Sequence, residues 1–217
     1  MFVLISIALA FWFKSEIPNF AHRTNQQIYQ EYHSLTASEL SKSAFLAQSR
    51  LQPKQSKWAN LFFLCFPAIA IFSESVGIGL IFIILCYLSV LDYCYYLTDI
   101  RYIALIFLLV LWENLNSFHN ETLLLIILFC VGIGGISQFI FKKETFGSGD
   151  MLLLIALSPL FTVEKMLLFV LAASLLGIGY YLIYWLIQKQ KLEKLPFIPF
   201  ISVAMLIIVM LERGKIS

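Results

Sequence analysis

The chain reads as an all-α, polytopic membrane bundle of about eight transmembrane helices. Three observations lead there. Hydrophobic residues make up 60% of the 217 and charged residues only 13%, with twenty Phe; a soluble domain of this size has no interior large enough for them. The apolar residues come as continuous runs, not in the alternation of a lipid-facing β-barrel, and in lipid a continuous run satisfies its backbone as a helix. Lysine and arginine collect on one set of the loops between runs, as the loops of a multi-pass protein do.

In chain order the runs fall at roughly 1–13, 58–73, 76–97, 100–113, 121–141, 150–162, 165–187 and 196–211. The first resembles the core of a signal peptide, but no basic flank precedes it and no small-residue cleavage site follows. It reads as a retained span, shorter than the roughly 20 residues a crossing helix needs. The sixth run is short for the same reason. The stretch 14–57 is the one sizeable polar segment. Helices are expected over 26–32 and Thr36 to Gln48, the second capped by Thr36 or Ser38. Two parts follow: 1–57, the first span with its cytoplasmic loop, and 58–217, the transmembrane part that carries the chemistry. Small residues on the fifth and seventh runs (Gly132, Gly134, Gly135, Ala172, Ala173, Gly177, Gly179) allow close helix contact.

Crossing eight times places loops 14–57, 98–99, 142–149 and 188–195 on one side. They hold Lys14, Arg23, Lys42, Arg50, Lys54, Lys57, Lys142, Lys143, Lys189, Lys191 and Lys194, whereas the opposite loops hold Lys165 alone. The basic side is cytoplasmic. Asp92 then lies near the inner end of the third run and Asp150 at the inner start of the sixth. They are 58 positions apart in sequence, yet at one depth. A carboxylate in a membrane segment is costly to place, and two in one layer point to shared chemistry.

Two carboxylates held a few ångströms apart do not both ionise easily, so one retains a proton beside a charged partner. That supplies a general acid and a general base together. The base activates water against a peptide carbonyl, and the acid protonates the carbonyl oxygen or the leaving amine. The pair titrates as a unit, so neither role is assigned to one residue. Gly147 and Gly149 in Phe146-Gly147-Ser148-Gly149-Asp150 let the backbone turn or approach another segment closely. Asp150 itself falls in a first helical turn, where the dipole favours an anion; a plain loop with Asp150 as helix cap is the simpler alternative. The tyrosines of Tyr93-Cys94-Tyr95-Tyr96 read as an interfacial belt. Asp99 reads as a solvated loop charge beside Arg101, or as an aid to substrate positioning. The four cysteines are packed membrane residues without a CxxC pair, and the three histidines are scattered, so no metal site is expected.

Three stretches resemble the type IV prepilin leader peptidases, a family of intramembrane aspartyl proteases. Glu144-Thr145-Phe146-Gly147-Ser148-Gly149-Asp150 is similar to the family's E-x-M-G-x-G-D run, which ends in a catalytic Asp. Leu195-Pro196-Phe197-Ile198-Pro199-Phe200 is similar to its late L-P-F-G-P-F signature. Asp92 through Leu97-Thr98-Asp99 is similar to its earlier catalytic Asp and the Pro-Asp or Pro-Asn that follows. Thr98 stands where the family has Pro, Ile198 where it has Gly, and Leu152 where it has Lys.

The resemblance implies Asp92 and Asp150 as the catalytic pair, with Gly147, Gly149, Asp99, Glu144, Pro196 and Pro199 in support. It implies a prepilin or pseudopilin precursor as partner, cut on the cytoplasmic side of its hydrophobic helix, in the bacterial inner membrane. No metal or cofactor is implied for the peptidase. S-adenosylmethionine enters only if N-methylation of the new terminus is retained, and the element tied to that activity survives faintly in Asn19-Phe20-Ala21-His22-Arg23. The lipid bilayer is the other partner; no nucleic acid is expected, and the oligomeric state is open. Two readings compete: a proton-coupled transporter using the aspartates as a relay, and an inactive relative that binds precursors without cutting.

Overall fold

A computed structural model describes residues 1–35, 41–115, 118–136, 147–189 and 194–213. Every regular element among them is helical. The helices are α1 (Phe2–Leu35), α2 (Lys42–Gln48), α3 (Phe62–Phe72), α4 (Val76–Tyr95), α5 (Ile100–Glu113), α6 (Asn120–Ile136), α7 (Ser148–Leu157), α8 (Val163–Gln188) and α9 (Ile198–Arg213). Three of them, α1, α4 and α8, are long and apolar enough to cross a membrane. Against the expected eight or so spans stand nine described α-helices, of which these three have crossing length. An apolar run marks burial in lipid or in protein alike, and only length separates the two. The 14 residues of α5, for example, extend about 21 Å.

The chain divides into two compact units, Met1–Ile71 and Phe72–Ser217. In the first, α1 runs for 34 residues, well past the expected end at Phe13. Lys14 and Glu16 end the apolar run without ending the helix. The Lys14 ammonium lies over the Phe63 ring, 5.5 Å from its centroid, and Glu16 pairs with Arg23 at 2.9 Å. The buried residues Ser6, Ala10, Phe13, Ile17 and Phe20 continue one stripe at spacings of four and three straight through the charges. One turn further, buried Asn25 donates to the Leu51 carbonyl at 2.7 Å and accepts from the Ser49 hydroxyl at 2.6 Å. These bonds tie the segment after α2 to α1. Helix α2 starts at Lys42, and its cap is Ser41, which accepts from the Ala44 amide. The expected caps Thr36 and Ser38 lie outside the described residues.

In the second unit α4 is the core. It carries no charge from Val76 to Leu91, and Ile81, Ile83, Leu85, Tyr87, Leu88 and Leu91 are fully buried. Named contacts show its neighbours to be antiparallel. Against α5, the Ser75 hydroxyl donates to Glu113 at 2.8 Å, and the Tyr87 and Tyr102 rings meet edge to face. Against α9, Ser89 and Ser202 share a hydrogen bond of 2.8 Å. Helix α8 covers α9, with Lys165 paired to Glu212 at one end and Gly177 against Leu195, Phe197 and Phe200 toward the other. Of the glycines expected to bring helices together, Gly177 does so. A Cβ built on Gly132, Gly134, Gly135 or Gly179 meets nothing within 4 Å. The outward residues of α6 and α8 (Leu124, Leu128, Val131, Leu175, Leu182) are exposed and apolar, as lipid-facing surfaces are.

Candidate active site

Asp92 lies in the last turn of α4 and is 7% exposed. The helix ends sharply after it. Tyr96 takes a left-handed conformation (φ 53°, ψ 34°), and its amide donates to the Asp92 carbonyl at 2.8 Å. The chain then crosses as Leu97-Thr98 and re-enters a helix at Ile100. The Asp92 carboxylate accepts the Ile198 amide on Oδ2 at 3.1 Å, with a second backbone hydrogen bond from Phe197.

Asp150 lies in the first turn of α7. The cap position of that helix is Gly147, which makes no side-chain capping bond, so Asp150 is not the cap. A Cβ built on Gly147 would come 2.7 Å from Asp150 Oδ2, so the carboxylate folds back over the glycine. A Cβ on Gly149 would come 2.5 Å from Thr98 Oγ1. The bare backbone at 149 therefore lets α7 begin directly against the loop that follows Asp92.

Both carboxylates line a single cleft of about 670 Å³, together with Tyr96, Thr98, Gly147, Gly149, Leu152, Lys194 and Phe197. They are near enough to act on one another electrostatically. A second cavity, about 590 Å³, is lined by Phe118 to Thr122 and Thr162 to Glu164 and contains neither aspartate.

The other expected site residues divide. Asp99 is 6% exposed and does not line the cleft. It caps α5, with Oδ1 accepting the Arg101 amide at 3.1 Å, and so it is buried where a solvated charge was one of the two readings. Pro196 is buried in the extended segment before α9, and Pro199 lies in the first turn of α9. Glu144 lies outside the described residues. Sequence reasoning passed over two cleft features, the left-handed Tyr96 and Lys194, and the buried amide of Ile198 behind Asp92. A backbone donor leaves no trace in residue identity except through the prolines around it.

The sequence pattern of the type IV leader peptidase family matches residues 79–182, which include both aspartates and all of α7. Over an alignment of 225 residues the chain is 34% identical to the prepilin leader peptidase/N-methyltransferase of Haemophilus influenzae (strain ATCC 51907 / DSM 11121 / KW20 / Rd). That alignment covers 96% of this chain and 94% of the relative. The chain belongs to the type IV leader peptidase family. Its enzyme class is therefore peptidase, and its apolar exterior agrees with a membrane protein. No solved structure matches this type IV leader peptidase.

Proposed function

We propose that this chain is an intramembrane aspartyl endopeptidase. It removes the basic leader from type IV prepilin-like or pseudopilin precursors at the cytoplasmic face of the bacterial inner membrane. The observation that carries this reading is the meeting of Asp92 and Asp150, from helices 58 positions apart, in one cleft.

The chemistry follows from the pair. One carboxylate takes a proton from water as the water oxygen bonds to the scissile carbonyl carbon. The other gives its proton to the carbonyl oxygen. Collapse of the tetrahedral species breaks the C–N bond, and the leaving nitrogen takes up a proton to become the new amino terminus. Gly147 and Gly149 make room in the cleft for the Asp150 carboxylate and the Thr98 side chain. Peptide cleavage by this route needs no covalent enzyme intermediate.

The proposal is confined to the peptidase. Arg23, in the stretch that faintly matches the methylation-associated element, pairs with Glu16 within α1.

The test is cleavage of a prepilin in membranes, read by mass spectrometry of the new terminus. Asp92→Asn and Asp150→Asn are each expected to leave the precursor uncut. Full cleavage by both single variants would falsify the assignment. Precursor that binds the wild type but stays intact at every pH would favour the non-cutting reading.

A further inference from the structure

The carboxylate of Asp92 is at the wrong end of its own helix. The C-terminal turn of α4 carries the negative pole of that helix, which disfavours an anion there. Asp150 has the opposite situation, because the first turn of α7 presents a positive pole to it. The two members of the pair therefore need different support, and α4 itself gives Asp92 none.

Helix α9 supplies it. The first amides of a helix have no partner inside the helix and form a natural seat for an anion. At the start of α9 the sequence restricts which amides are left for this purpose to those of Phe197, which also bonds Asp92, and Ile198. Pro199 has no N–H. The Phe200 amide is bonded to the Phe197 carbonyl at 3.0 Å, as is that of Ile201 at 3.2 Å. The Ile198 amide points instead to Asp92 Oδ2 at 3.1 Å, and both residues are buried. Two further contacts fix α9 in this place: the Ser89–Ser202 hydrogen bond one turn along the same α4–α9 seam, and the close approach of Gly177 on α8 to Phe197 and Phe200.

Resting on the reading of Asp92 as half of the catalytic pair, we infer that the backbone amide of Ile198 is a positioning group for the reaction. The N-terminus of α9 holds the Asp92 carboxylate, with the Ile198 amide on Oδ2 and a second backbone hydrogen bond from Phe197, and so fixes its orientation for proton transfer. The part is played by the peptide N–H, which is present whatever non-proline side chain stands at 198. That is why Ile in place of the family's Gly leaves the device intact. The prolines on either side serve it too: Pro196 keeps the approach extended, and Pro199 starts the helix without adding a competing donor.

The experiment removes the N–H and keeps the rest. Replacing the residue-198 amide by an ester, through incorporation of the α-hydroxy analogue of isoleucine, deletes the donor and retains the side chain. Ile198→Pro deletes the donor in a position where helices accept proline. Ile198→Ala and Ile198→Val keep the donor and lose packing instead. With a prepilin as substrate, the ester enzyme and the Ile198→Pro enzyme are expected to lose roughly 10- to 100-fold in kcat with KM within about twofold. The Ile198→Ala and Ile198→Val enzymes should stay within a few-fold of wild type. A kcat for the ester enzyme equal to that of the wild type overturns the inference, as does a loss carried by KM alone. Should the Ile198→Pro chain fail to fold, the ester variant still decides. Failure of the wild type to cut at all would instead count against the aspartyl peptidase reading, so the two failures are distinct.

Discussion

Gly149 and Thr98 touch at a point where no side-chain carbon fits between them. The Cβ of any other residue at 149 would lie 2.5 Å from Thr98 Oγ1 and 2.8 Å from Thr98 Cβ. This contact joins the start of α7 to the loop after α4, and so sets the position of Asp150 relative to Asp92. The family's glycine at this place is a matter of approach between segments, since no glycine in the described residues has a positive φ.

Gly149→Ala is therefore expected to push the loop and α7 apart. Overpacking of this kind costs about 1–3 kcal/mol, and the displaced pair should lose at least about tenfold in activity, a loss of order 1 Å in placement being enough. Thr98→Gly removes both clashing atoms, so the double variant should recover part of the loss. A double-mutant cycle on prepilin cleavage measures the coupling; strictly additive losses would show that the contact does not set the geometry.

Gly147→Ala separates activity from stability. Its φ of −63° and ψ of 128° are open to alanine, so the backbone is not strained. Among the described residues the nearby obstacle is the Asp150 carboxylate, at 2.7 Å from the added carbon. The flexible side chain moves, not the fold. Thermal stability should stay within about 1 kcal/mol of wild type, because the reduced freedom of the unfolded chain is offset by alanine's poorer fit at a cap position, while cleavage falls sharply. A melt and an activity assay on the same preparation check both halves.

Asp99 behaves as a helix cap. Asn caps as well as Asp, and Ala does not. Asp99→Asn should keep near-wild-type cleavage and stability, and Asp99→Ala should lose about 1 kcal/mol in denaturant or thermal unfolding with kcat largely retained in the folded fraction. Equal loss of kcat by both variants at unchanged stability would instead place Asp99 in the chemistry.

The limits of the sequence reading have physical causes. Asp92 and Asp150 stood out because carboxylates are expensive in apolar runs, and the charge bias of the loops placed them in one layer. The helical class followed from composition together with the continuity of the apolar runs. Helix α1 runs past Phe13 because Lys14 and Glu16 interrupt the apolar run but not the buried stripe Ser6, Ala10, Phe13, Ile17, Phe20, which carries no mark of its end in charge. Asp99 was misread because a lone acidic residue before a helix looks the same whether it faces water or caps a buried turn. The Ile198 amide was out of reach altogether, since pairing α9 with α4 is a tertiary event and the donor belongs to the backbone.

Tyr96 offers the last test. It closes α4 with φ 53° and ψ 34°, a conformation that costs a residue with a Cβ roughly 1–2 kcal/mol and that glycine adopts freely at helix ends. Its side chain is half exposed on the cleft, so little burial offsets the strain. Tyr96→Gly should therefore stabilise the fold by about 1 kcal/mol, seen as a higher melting temperature in detergent. If the ring serves the substrate, the same variant will cut more slowly, chiefly through KM, because the cleft wall next to Asp92 is lost while the two carboxylates stay in place. Tyr96→Asn tolerates the left-handed turn as well and should follow the glycine variant in stability. A fall in melting temperature for both would show that the tyrosine ring contributes more to packing than its backbone conformation costs.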